Sequence, residues 1–270
     1  MLEMEQKTVS GRLMGGLGNQ LFIMAAAFGY AKKYAMQHGI FLRAVEHSPH
    51  TQEMYEYTVF NRIPKIAANF NPTYVHMEKG EDCLRYDDLG AYGFETAHLL
   101  LFGYFQNERY MEGHEAEFLN LLTFPSVSDE SLIYNFDNLC FLHVRRTDYL
   151  QKHLHCVDLW LNYYHSAIDS MIQKHPNVQF LVCSDDIEWC EGHAAFQGSR
   201  FVFLHEKDEV RSMEIMSSCA IGGICANSSF SWWSAYRNKN KDKTVIFPSK
   251  WFNNNWPNDI AFKGSVIMQA

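Results

Sequence analysis

The segment HVRRTDY, His143 to Tyr149, sets two adjacent arginines directly after the apolar run Leu139-Cys140-Phe141-Leu142. A guanidinium is planar, stays charged when partly buried, and grips phosphate oxygens through two parallel charge-assisted hydrogen bonds. At the end of a strand, Arg145 and Arg146 are equipped to hold an anion. They equally suit surface ion pairs, which contribute little, and this segment alone leaves both readings open.

Three further segments carry polar groups of the right kind. CSDDIEWC, Cys183 to Cys190, offers Asp185 and Glu188 as a capping box opening a helix. Asp186 is then left to solvent, or to the paired N–H groups that a guanine edge presents. NSSFSWW, Asn227 to Trp233, places Asn227, Ser228, Ser229 and Phe230 at a helix start, where hydroxyls and amides either cap the helix or receive phosphate; Trp232 and Trp233 read as core. GGLGNQ, Gly15 to Gln20, runs from a strand into a helix. Gly16 and Gly18 serve either a tight turn or an anion, since the spacing matches neither a dinucleotide fingerprint nor a P-loop.

These segments need a scaffold that brings them to one edge. Strand-like runs at Leu139 to Val144, Val178 to Cys183, Arg200 to Leu204, Ala220 to Cys225 and Thr244 to Phe247 alternate with helical patterns, the first including Trp160, Tyr163, Tyr164, Ala167, Ile168 and Met171. Such βα alternation predicts an α/β fold, with a parallel sheet that binds ligands at the carboxyl ends of its strands. The first half predicts strands at Arg12 to Met14, Ile40 to Ala44 and Leu99 to Tyr104, and helices from Asn19 to about Tyr34 and Glu108 to Leu122. Glu46 to Tyr92 reads as irregular. A polar stretch, Pro125 to Asn138, predicts the linker between two domains, 1–136 and 137–270.

With 270 residues, 47% hydrophobic, the chain is long enough for two compact lobes, and its net charge of -8 excludes a global field for nucleic acid or an anionic membrane. Seven cysteines without regular spacing read as reduced thiols. No apolar stretch is long enough to span a bilayer and no leader is evident, so a cytoplasmic protein is expected. His153, His155 and Cys156 lie close in sequence without a fourth zinc partner, and the chain has no GxSxG elbow.

Taken in order, GGLGNQLF at Gly15, LFGYFQNERYM at Leu101, HVRRTDY at His143, CSDDIEWC at Cys183 and NSSFSWW at Asn227 resemble the motifs of GDP-fucose-dependent α1,2-fucosyltransferases, glycosyltransferase family 11. The resemblance spans Gly15 to Phe252. It departs at Thr147, where glycine is common, and at Ile23-Met24. It implies two Rossmann-like lobes (GT-B-like) with parallel sheets flanked by helices, the C-terminal lobe holding GDP-fucose and the N-terminal lobe facing the acceptor. By the same resemblance Arg145 is the β-phosphate ligand with Arg146 in support, His143 and Asp186 read the guanine, and Ser228, Ser229 and neighbouring amides contact the phosphates. Asn19 is expected to touch acceptor or fucose. Asp148, three residues past Arg145, is expected to orient the arginines rather than take a proton.

The implied reaction is inverting fucosyl transfer to a galactose-containing glycan. No Asp-x-Asp occurs in the chain, and arginines with helix-end donors replace a metal at the departing diphosphate, so no metal and no other cofactor are expected. Rival readings are the same fold with another donor or linkage (GDP-mannose, α1,6 or protein O-fucosyl transfer) and a non-catalytic glycan-binding protein. Oligomeric state and acceptor are not legible.

Overall fold

A computed structural model of the chain describes residues 6–41, 55–66, 71–93, 97–151 and 162–269. The chain forms two compact units, Met1–Thr123 and Phe124–Ala270, so residues 124–136 go with the second unit rather than the first. Their contacts explain it. The Arg237 guanidinium lies 3.3 Å over the Phe124 ring, Glu130 pairs with Arg211, and Ala220 N donates to Phe136 O at 2.9 Å.

In the first unit, strands β1 (Thr8–Gly11), β2 (Gln37–His38), β3 (Tyr74–Met77) and β4 (Leu99–Phe102) form one parallel sheet in the order β2-β1-β4-β3. Helix α1 (Leu17–Lys33) is buried along most of its length, and Val9, Ala26, Ala27, Leu99, Leu101 and Phe105 meet in its core. Helix α2 (Glu115–Leu121) follows. At Gly29 a Cβ would stand 1.7 Å from Tyr110 O, so only glycine lets α1 approach that turn.

The structure corrects several expectations here. The first strand lies at Thr8–Gly11, before Arg12–Met14, and the segment expected as one helix from Glu108 is a 3₁₀ turn, Glu108–Met111, followed by α2. Strand β3 falls in the stretch read as irregular. The expected strand at Ile40 to Ala44 is represented by β2 and an isolated bridge from Ile40 to Lys65, with 42–44 outside the described residues.

The second unit carries β5 (Leu139–Val144), α3 (Asn162–Lys174), β6 (Gln179–Ser184), α4 (Ile187–Gly192), β7 (Phe201–Phe203), α5 (Glu209–Ser218), β8 (Gly222–Ile224), α6 (Ser229–Arg237), β9 (Thr244–Pro248) and β10 (Val266–Met268). Its sheet is parallel throughout, in the order β10-β9-β8-β5-β6-β7. All six residues of β5 are buried, as a strand covered on both faces requires. Counted from β5, the order is 3-2-1-4-5-6, and it reverses between β5 and β8. In open α/β sheets that reversal opens the crevice where ligands bind. Gly223 permits the close approach of those two strands, because a Cβ there would lie 2.0 Å from the Phe141 ring.

Candidate functional site

The loops after β5, β6 and β8 leave the same edge of the second sheet, and those after β5 and β8 flank the reversal. Arg145 and Arg146 follow β5 directly. Arg145 Nη2 donates to Asp148 Oδ1 at 2.7 Å, and its Nη1 lies 3.3 Å from Asp185 Oδ2. Burial disfavours the Arg145 charge, but Asp185 and Asp148 outweigh it and the guanidinium is held protonated more firmly than usual. Arg146 Nε donates to Asp186 Oδ2 at 2.9 Å, and its guanidinium stacks 3.9 Å over the Trp189 ring.

Asp185 does not cap α4. That helix has Asp186 at its N-cap position with no side-chain capping bond. The Asp185 carboxylate instead accepts from Arg146 N at 2.8 Å, from Thr147 N at 3.0 Å and from the Thr147 hydroxyl. The capping-box reading is therefore corrected, since Asp185 clamps the arginine loop from the neighbouring strand. Thr147, where glycine was the commoner residue, supplies part of that clamp. No local signal could have shown this, because the partners lie on a different strand.

Across the reversal, Tyr149 Oη donates to Asn227 O at 3.1 Å, tying the loop after β5 to the loop after β8. Asn227 and Ser228 are both buried. Asn227 Nδ2 donates to Trp251 O at 2.8 Å, and Ser228 Oγ accepts from Phe230 N at 3.3 Å, capping α6, of which Ser229 is the first residue. Trp232 and Trp233 are fully buried, as expected of core residues.

His143, 5% exposed, faces Phe230 with ring centroids 5.7 Å apart. Burial pushes its imidazole well below its ordinary pKa, with Arg145 acting in the same direction and Asp185 opposing. The ring is neutral at pH 7 and keeps one donor and one acceptor nitrogen. Its Nδ1 is buried without a hydrogen-bond partner. A buried polar atom in that state is costly unless something pairs with it. The sequence motifs thus bring His143, Arg145, Arg146, Asp148, Asp186, Asn227, Ser228, Ser229 and Phe230 to one edge, and the structure adds Asp185, Tyr149 and Trp189.

Gly16, Gly18 and Asn19 belong to the first unit, in the turn from β1 into α1. Gly15 is left-handed (φ 71°), and a Cβ on it would meet Asn19 Nδ2 at 2.5 Å. Gly16 fills the N-cap position and its carbonyl accepts from Asn19 N and Gln20 N, yet a Cβ there would meet nothing within 4 Å. Gly18 is buried in the helix. Asn19 Oδ1 accepts from Gln106 Nε2 at 2.7 Å, linking the turn after β1 to the loop after β4. His153, His155 and Cys156 lie outside the described residues. Among the described residues, no cluster of His, Cys, Asp and Glu suits a metal ion, and no helix is long and apolar enough to cross a membrane.

Residues 65–264 match the profile of glycosyl transferase family 11. The chain is 29% identical to an α-1,2-colitosyltransferase of Escherichia coli, over 90% of this chain and 92% of that protein. It is 32% identical over 171 residues to the O-antigen biosynthesis glycosyltransferase WbnK of Escherichia coli, a match spanning 57% of this chain and 56% of that relative. Among solved structures, the fucosyltransferase NodZ from Bradyrhizobium superposes with a TM-score of 0.56 at 13% identity, covering 86% of this chain and 92% of NodZ. A NodZ α-1,6-fucosyltransferase crystal soaked with GDP-fucose gives a TM-score of 0.55 at 14% identity, over 85% and 92% of the two chains. At such identities the likeness is one of fold, a GT-B-like pair of α/β units.

Proposed function

The chain belongs to glycosyl transferase family 11, and from that premise we propose that it is an inverting fucosyltransferase moving L-fucose from GDP-β-L-fucose to O2 of a terminal galactose. One observation carries the reading. Arg145 is held between Asp148 and Asp185 beside the strand-order reversal, where a nucleotide-sugar diphosphate would lie.

In this reading the acceptor hydroxyl oxygen attacks the anomeric carbon as its bond to the β-phosphate oxygen breaks. GDP leaves with the electron pair, and the hydroxyl proton passes to solvent or to a base. Charge accumulates on the departing phosphate. Arg145, preoriented by two carboxylates, meets that charge without reorganising, and a donor of this kind contributes roughly 3–4 kcal/mol to lowering the barrier. Arg146 supports it through the stack on Trp189. Ser228, Ser229 and the opening turn of α6 supply neutral donors to the phosphates. The orphaned Nδ1 of neutral His143 and the second oxygen of Asp186 are the groups assigned to the guanine. Asp148 orients Arg145, and Asn19 contacts acceptor or fucose.

No metal takes part in this proposal. The relative named an α-1,2-colitosyltransferase supports the α1,2 linkage, and it makes a colitosyl nucleotide the second donor to test. The experiment is incubation with GDP-fucose, the colitosyl donor and GDP-mannose against a panel of galactosides, with and without EDTA, followed by linkage analysis. An α1,2-fucosylated galactoside formed at an unchanged rate in EDTA is expected. Abolition by EDTA would overturn the metal-free chemistry, and a different linkage or a preferred second donor would overturn the specificity.

A further inference from the structure

Glu78 follows β3 at the carboxyl edge of the first sheet. Its carboxylate accepts two successive backbone amides of the loop after β4, Tyr104 N at 2.6 Å and Phe105 N at 3.0 and 3.1 Å. Phe105 is left-handed (φ 51°) although it carries a large side chain, a conformation that costs energy unless the surroundings impose it. That turn directs Gln106, whose N donates to Cys83 O at 2.9 Å and whose side-chain amide donates to Asn19 at 2.7 Å. Gly103 leaves the room required, since a Cβ there would lie 2.3 Å from Glu78 Cβ. In the first sheet β1 and β4 are neighbours whose following loops are joined by the Gln106–Asn19 bond.

We propose that Glu78 is a positioning residue that locks the loop after β4 in its left-handed turn, so that Gln106 holds Asn19 oriented toward the hydroxyls of the sugar acceptor. The acceptor assignment rests on the fucosyl-transfer reading; the lock itself does not.

The lock depends on pH. Burial pushes the Glu78 carboxyl up to about 7, opposed by the amides of Phe105 and Tyr104 and reinforced by Asp82 and Asp87; among the described residues Cys83 and Tyr110 also face it. Above that value the carboxylate makes charge-assisted bonds to both amides, and below it the protonated group accepts more weakly. Because the folded-state value is raised, ionisation also costs global stability as pH climbs through 7. Glu78→Gln mimics the protonated state at every pH.

The test measures acceptor and donor KM between pH 5.5 and 8.5 for wild type, Glu78→Gln and Gly103→Ala, with amide hydrogen exchange at Tyr104 and Phe105 on the same proteins. In wild type, acceptor KM is expected to fall about tenfold through pH 7 while donor KM stays within about twofold, each tenfold step being about 1.4 kcal/mol. Glu78→Gln is expected to show a high, flat acceptor KM and exchange at both amides at least tenfold faster at pH 8. Unchanged exchange in Glu78→Gln overturns the lock, even in a protein that transfers no fucose. Faster exchange with a wild-type acceptor KM overturns the acceptor role. Faster exchange in a protein without fucosyl transfer leaves the lock standing and removes the transferase reading.

Discussion

In the proposed reaction Arg145 and Asp185 divide the work of the loop after β5 in a way that mutagenesis can separate. Arg145 is the residue proposed to meet the charge of the departing phosphate, whereas Asp185 holds two backbone amides, a hydroxyl and one arginine nitrogen of the same loop. Arg145→Ala is expected to lower kcat by about 10²–10³ without changing the melting temperature. Arg145→Lys is expected to recover little, because an ammonium cannot span Asp148 and Asp185 and still present a planar fork. Asp185→Ala acts indirectly. It frees the loop that carries both arginines, so kcat is expected to fall about 10²-fold, the cost of misplacing a catalytic group by about 1 Å. Asp185→Asn keeps one accepting oxygen and is expected to fall between. Steady-state kinetics with GDP-fucose reads all four variants, and full activity in Asp185→Ala would show that the loop holds itself.

At the scale of elements, the crevice exists because β5 and β8 lie side by side, and Gly223 is the residue that permits it. Gly223→Ala drives a methyl group into the Phe141 ring, an overpacking expected to cost about 1–3 kcal/mol and to lower the melting temperature by several degrees. Phe141→Leu in the same chain relieves the clash, so the double variant is expected to be more stable than the sum of the single changes; strict additivity would argue against the contact. These central strands were legible in the sequence because strands buried on both faces read as unbroken apolar runs: β5 and the body of β6 are of this kind. The edge strands were not. In β3 Tyr74, Val75 and Met77 are all exposed and only His76 between them is partly buried, and β10 exposes Val266 and Ile267. Without a buried face, neither carried the two-residue alternation that marks a strand. The site divides similarly. Arg145, Arg146, His143 and the Asn227 loop stand in contiguous motifs, while the clamp by Asp185 and the lock by Glu78 depend on partners from separate strands and show only once the chain is folded.

At the scale of the whole molecule, the division at Thr123–Phe124 has a consequence that the sequence boundary at 136/137 does not share. Residues 124–136 carry Phe124, under the guanidinium of Arg237, and the buried Glu130, paired with Arg211. Arg237 is itself 12% exposed and paired with Glu214, so removing Phe124 uncovers a charge that packing had enclosed. Arg211 keeps Glu206 at 3.2 Å, and its own exposure of 34% tempers the loss of Glu130. A fragment of 124–270 retains the six-stranded sheet, its core and the residues proposed to hold the nucleotide, and is expected to unfold cooperatively and to be stabilised by GDP. A fragment of 137–270 lacks those two anchors, and with about 2–4 °C per kcal/mol for a domain of this size it is expected to melt at least 5 °C lower. Thermal denaturation of both fragments, with and without GDP, decides the matter. Equal melting temperatures would return 124–136 to the status of a linker, and a fragment of 124–270 that folds yet gains nothing from GDP would move nucleotide binding away from the second unit alone.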